Sequence, residues 1–214
     1  MMQYLNQMPV ASIIFVFTLI TSIYAFNDRQ LMGNFIFHPY SVSKGIRPYT
    51  FITSGLIHAD WMHLFFNMFT FYFFAFKLEV MIGHWQFGLL YFLGLVLSDV
   101  PSLIKHKDNY GYQSLGASGA ISAVLFSYIL FEPTTLLLVM FIPMPAVLFA
   151  VLYLYYSWYM SKKGQDNIGH DAHFFGALTG LIFTVIFVPG IIPNFIQKLT
   201  LGIQFLIQYL TGGR

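Results

Sequence analysis

The first 27 residues carry no charged side chain, and long apolar stretches recur through the rest of the chain. A helix needs about 20 mostly apolar residues to cross about 30 Å of hydrocarbon. With no water there to satisfy peptide groups, only helices and closed barrels span a bilayer. Composition excludes the soluble alternative. Charged residues make up 8% of the chain, against about 25% in a typical soluble domain. Apolar residues make up 57%, and the 25 Phe and 14 Tyr would leave much aromatic surface wet on a globule of this size. The expected fold is therefore all-α, a polytopic membrane helical bundle.

Six stretches fit as spans: residues 9–26, 61–82, 85–98, 116–131, 146–160 and 172–188. The N-terminus lacks the basic region of a secretory signal, so the first run is expected to be retained as a span. The third span should end before Asp99 and Pro101, and the fourth at Glu132 and Pro133. Pro143 and Pro145 should break the fifth run into an interfacial turn and a span. Residues 105–113 and 162–171 read as polar loops, and the aromatic-rich connector 27–57 fits the membrane interface. In the tail, Asn194, Gln197, Gln204, Gln208 and Thr211 fall on one helical side with Phe195, Leu199, Phe205, Leu206 and Tyr209 on the other. An interfacial amphipathic helix fits this pattern better than a seventh span. Residues 1–190 thus form a six-span core and 191–214 an amphipathic tail.

The net charge is +2 and the ten Lys and Arg are scattered, which gives nucleic acid no basic patch. Cysteine is absent, so disulfides, zinc–thiolate sites and a cysteine nucleophile are excluded. Polar side chains inside spans are costly and draw attention. Three groups stand out: His58, His63 and Asn67 in HADWMHLFFN; Ser118 in GASGAIS; and His173 in GHDAHFFGALTG. Taken singly, such a histidine is as often a packing residue, and a serine among small residues is more often helix glue.

Together they make chemistry. The second, fourth and sixth spans run in the same direction, and His63, Ser118 and His173 each lie near the start of one. Gly119 and Ala123 face outward one turn apart on the fourth span, Gly176 and Gly180 on the sixth, which permits close backbone approach. A serine hydroxyl needs a base to accept its proton, and His173 fits that role. First-turn N–H groups near Ser118, the Asn67 amide and the His63 imidazole are donors for an oxyanion. Asp171 is only two residues before His173 and faces elsewhere on a helix, which favours a Ser/His dyad over a triad.

These motifs, with Glu79-Val-Met-Ile-Gly83, resemble the rhomboid intramembrane serine proteases over roughly residues 9–190. The resemblance implies Ser118 as nucleophile and His173 as general base, with His63, Asn67 and the Ser118 backbone around the oxyanion. It implies that His58, Gly116, Gly119 and Ser122 line the site, that the connector 27–57 is an embedded loop, and that no cofactor or metal takes part. The implied substrates are transmembrane proteins, cut through an acyl-enzyme, and the implied setting is a multi-pass protein of a bacterial inner membrane.

Two positions depart from the family pattern. Ser122 stands where an aromatic residue commonly stacks on the catalytic histidine, so support for His173 must come from elsewhere. Arg47-Pro48-Tyr49-Thr50 stands where a Trp-Arg pair is common. The family orientation also puts Arg29, Lys44, Arg47, Lys105, Lys107, Lys162 and Lys163 outside and only Lys77, Lys198 and Arg214 inside, against the positive-inside bias. Two other functions remain open at this level: a metal-dependent membrane enzyme or transporter using His58, His63, His170 and His173, and a non-catalytic rhomboid-like binder of membrane clients. The oligomeric state is not legible.

Overall fold

The structure, a computed structural model, describes residues 7–139, 141–164 and 168–212. Part of the polar loop expected over 162–171, and Arg214, lie outside them. The protein is mostly helical. Among the described residues, three helices are long and apolar enough to cross a membrane: α5 (Trp61–Ile82), α6 (His84–His106) and α9 (His170–Phe187). Two shorter apolar helices are α1 (Pro9–Ala25) and α7 (Ser118–Phe131). α8 (Ala146–Lys163) and α10 (Ile191–Leu210) complete the long elements.

The connector after α1 folds into short helices, α2 (Arg29–Phe35), α3 (Pro39–Ser43) and α4 (Thr50–Thr53), followed by a 3₁₀ turn at Ser54–Leu56. Asp28 starts α2 by accepting from the Gln30 and Leu31 N–H groups, each at 2.9 Å. The connector is tied to the loop before α7. Phe37 and Ser114 exchange both backbone hydrogen bonds, and the Gly116 N–H donates to the Ser54 carbonyl at 2.9 Å.

Helix ends are fixed by long-range as well as local groups. The fully buried Glu79 carboxylate, near the end of α5, accepts from the Val10 and Ala11 N–H groups at 3.1 and 2.7 Å. It also bonds His84 Nδ1 at 2.7 Å. One carboxylate thereby caps α1 and joins it to the α5–α6 corner, where Gly83 turns the chain at φ +92°.

α7 is the centre of the bundle, with every residue from Gly119 to Leu130 buried, packed among α5, α6 and α9. Many large side chains of α1, α5 and α9, including Ile13, Phe17, Phe65, Phe69 and Ile186, point outward. Small and polar groups such as Ala11, Ser22, Ala75 and Thr184 share the interior with large rings such as Phe71 and Phe87.

The sequence expectations are corrected in two places. α6 does not stop before Asp99 but continues through it and Pro101 to His106. Asp99 lines an internal cavity there, so its carboxyl is not presented to lipid. The stretch expected as an interfacial turn is an antiparallel β-hairpin, β1 (Leu136–Val139) paired with β2 (Ile142–Pro145) in the register Leu136 with Pro145 and Val139 with Ile142. The fold is therefore not strictly all-α. Pro143 and Pro145 sit in a strand whose partner lies on one side only, where a missing N–H is tolerated.

Candidate active site

A cavity of about 1070 Å³ opens among α5, α6, α7, α8 and α9, and Ser118, His173, His63 and Asn67 all line it. Three of these helices begin at it: α5 brings His63 and Asn67, α7 starts at Ser118, and α9 brings His173 from its first turn. Ser118 and His173 are both half-buried.

Close backbone contact sets the spacing of α7 and α9. A Cβ at Gly176 would collide with the Gly119 carbonyl oxygen, and one at Gly180 with that of Ala123. Only glycine permits this approach at both levels. Gly119 is also closed on its other flank, where a Cβ would meet Ser98 Oγ from α6. Gly116, at φ +111°, has a conformation that L side chains rarely adopt, and a Cβ there would lie 2.6 Å from His63 Cε1. The chain thus passes tightly over the His63 ring just before the serine.

The histidine tautomers follow from the hydrogen bonds. His63 Nδ1 accepts from the Ala59 N–H at 3.4 Å, so in the neutral ring Nε2 carries the hydrogen. Asp60 starts α5 by accepting from the His63 N–H at 2.8 Å. Asn67 Nδ2 donates to the His63 carbonyl at 2.9 Å and has a second hydrogen to offer.

His58 is fully buried just before α5. Ser22 Oγ donates its single hydrogen to the Leu56 carbonyl and accepts from His58 Nδ1, both at 2.9 Å. His58 Nε2 then bears a lone pair with no partner among the described residues. Burial, aided by neighbouring His63 and opposed by Asp60, pushes its pKa down to about 3, which keeps the ring neutral. His58 and His63 meet edge to face with ring centres 4.9 Å apart.

Around His173, the ring of Tyr153 from α8 stacks at 6.1 Å and an interplanar angle of 27°, and His170 meets it edge-on at 6.1 Å. The Tyr153 hydroxyl lies 2.7 Å from Ser122 Oγ. The stacking ring absent from position 122 is therefore present from another helix. Sequence reading missed Tyr153, because α8 also carries Tyr155, Tyr156 and Tyr159 and nothing in their spacing marks one of them. It also missed Ser98, which lay inside the expected third span with no motif to mark it, and Asp99, because that span was ended too early. The Asp171 carboxylate is directed to Lys105 Nζ at 3.1 Å, and Lys105 also donates to the Ser161 carbonyl. Among the described residues no three His, Asp or Glu side chains are grouped closely enough to hold a metal ion, so His58, His63, His170 and His173 do not form a ligand set.

A family model described as Rhomboid domain matches residues 46–190. The chain is 31% identical over 173 residues to RHOMBOID-like protein 12, mitochondrial, from Arabidopsis thaliana, an alignment covering 73% of this chain and 51% of that protein. It is 24% identical over 183 residues to Rhomboid-related protein 1 from Caenorhabditis elegans, covering 81% and 48% respectively. The chain thus spans about half the length of the curated relatives it matches. The similarity to a plant mitochondrial protein overturns the expected bacterial inner membrane.

Proposed function

The chain belongs to the Rhomboid family, and on that premise we propose that it is an intramembrane serine endopeptidase acting through Ser118 and His173. The observation that carries this reading is the shared cavity in which Ser118, His173, His63 and Asn67 meet.

The reaction proceeds in two balanced halves. His173 accepts the Ser118 proton as Oγ bonds to the scissile carbonyl carbon, and the carbonyl oxygen becomes an oxyanion. The C–N bond then breaks, His173 gives the proton to the leaving amine, and an acyl-enzyme remains. Water, deprotonated by His173, attacks the ester; the C–O bond to Ser118 breaks as His173 returns that proton to Oγ, and the released carboxylic acid gives its remaining proton to solvent. The oxyanion is held by first-turn N–H groups of α7, by His63 Nε2–H and by the second hydrogen of Asn67 Nδ2. Each such donor contributes roughly 3 kcal/mol to the transition state.

Burial of α7 explains how a hydrolase can work within a membrane. Its 14 residues span only about 21 Å, short of the hydrocarbon thickness. A helix enclosed by other helices does not have to reach both lipid surfaces, and its polar start can open into a water-filled cavity. In this reading α1, α5, α6, α7, α8 and α9 act as the six spans, 1–190 is the protease core and α10 is an interfacial helix of the 191–214 tail. Residence in a mitochondrial membrane belongs to the proposal through the plant relative's name, and organelle fractionation tests it. The substrates are single-span membrane proteins whose helix unwinds near the cut.

Products from a panel of single-span substrates, identified by mass spectrometry with wild type, Ser118→Ala and His173→Ala in liposomes, test the reading. Defined cleavage by wild type that both substitutions abolish supports it. Binding of the substrates without cleavage would instead favour a client-binding protein.

A further inference from the structure

The cavity contains one side chain that touches both halves of the dyad's surroundings and has no part in the chemistry above. Tyr153 stands on α8, which carries neither Ser118 nor His173. Its ring stacks on the His173 imidazole at 6.1 Å and 27°. Its hydroxyl lies 2.7 Å from Ser122 Oγ, one helical turn beyond Ser118. A ring held at its far end by a hydrogen bond and laid against an imidazole restricts rotation of that imidazole. We infer that Tyr153 is a positioning residue that holds the His173 ring in the rotamer from which it reaches Ser118, anchored for this purpose by Ser122.

The inference rests on the peptidase reading. The competing role is plain packing, because Tyr153 also meets the rings of Phe126 at 5.3 Å and Phe149 at 5.4 Å. The two roles separate by substitution. Leucine at 153 retains apolar volume beside Phe126 and Phe149 but removes the planar ring. Phenylalanine retains the stack and removes only the bond to Ser122. In Tyr153→Leu, Ser122→Tyr offers a new ring from the neighbouring position that Tyr153 now touches.

The test compares kcat, KM and thermal stability of the full chain in liposomes across wild type, Tyr153→Phe, Tyr153→Leu and Tyr153→Leu/Ser122→Tyr. Ring-labelled histidine NMR of each, assigned with His173→Ala, reports ring-current shifts at His173. Displacement of a catalytic group by about 1 Å is worth about 100-fold, so Tyr153→Leu is expected to lower kcat about 100-fold with KM within about twofold. Tyr153→Phe should lose less than about tenfold, because the stack remains. Ser122→Tyr in the leucine background should restore kcat at least about tenfold. The His173 resonances should move in Tyr153→Leu and hold in Tyr153→Phe. A Tyr153→Leu enzyme with wild-type kcat and unmoved His173 resonances overturns the role. So does a kcat loss that tracks reduced thermal stability while those resonances stay in place. A wild type that cleaves nothing overturns the peptidase reading instead, and the spectra then decide by themselves whether Tyr153 holds the ring.

Discussion

α7 and α10 are both helices with many apolar residues, yet one is enclosed by the protein and the other stands almost clear of it. From Gly119 to Leu130 every residue of α7 is buried, whereas Ile191 is the one buried residue of α10. The difference lies both in polar patterning, since α10 carries Asn194, Gln197, Gln204 and Gln208 along one side, and in the small residues that α7 sets against its neighbours. α7 presents Gly119, Ala120, Ser122, Ala123 and Ser127 to its neighbours, so backbones meet. α10 carries Phe205, Leu206 and Tyr209, all largely exposed, and is attached near its middle, where Lys198 bonds Glu132 Oε1 at 2.7 Å and the Phe131 carbonyl at 2.8 Å. In an apolar environment the hydrophobic effect does not choose which helix goes inside, and close packing of small residues does.

The comparison can be broken from either side. The largest effect is expected at the start of α7. Ser118→Ala should lower cleavage at least ~10³-fold with folding intact, whereas Gln204→Ala on α10 should change it less than about twofold, measured as initial rates on a single-span substrate. Next comes the seam. In Gly180→Leu the new Cβ meets the Ala123 carbonyl oxygen, a backbone atom that cannot rotate away. Thermal denaturation should then show a loss of at least about 3 kcal/mol or no folded protein at all.

A smaller effect concerns pH. The His58 pKa is about 3 in the folded chain against 6.5 for the free side chain. The unfolded chain therefore binds a proton that the folded one refuses. Its contribution to stability is fully present above about pH 6.5 and is lost progressively as pH falls toward 3, at up to about 1.4 kcal/mol per pH unit. Melting curves between pH 7 and pH 4 should fall less steeply for His58→Asn than for wild type. Equal slopes would remove His58 as the cause. The smallest effect belongs to α10, where Lys198→Met should cost less than about 1 kcal/mol, because that ion pair is partly exposed. A melting-temperature loss as large as that of Gly180→Leu would mean that α10 is part of the core after all.

Much of the site was legible because polar residues are conspicuous in a chain this apolar. HADWMHLFFN, GASG and AHFFGALTG each fell near a helix start, and the three starts share one cavity. Elements governed by context were not legible. The hairpin has no Asn-Gly or Asp-Gly turn, and its turn residue Phe141 takes φ +67°, so local sequence gave no sign of it. Asp99 and Pro101 looked like a stop, but a carboxyl facing an internal cavity escapes the lipid penalty, and neighbouring helices support the helix past the proline. Tyr153 was hidden among similar tyrosines, since which one meets His173 depends on the rotation of α8.

The proposed activation of Ser118 by His173 has a direct chemical readout. Fluorophosphonate labelling of the chain in liposomes, with the modified residue located by mass spectrometry, tests it most directly. Phosphonylation at Ser118 is expected to survive metal chelators, to be at least ~10²-fold slower in His173→Ala and to be absent in Ser118→Ala. Absence of labelling in folded wild type, or equal labelling in His173→Ala, would contradict it.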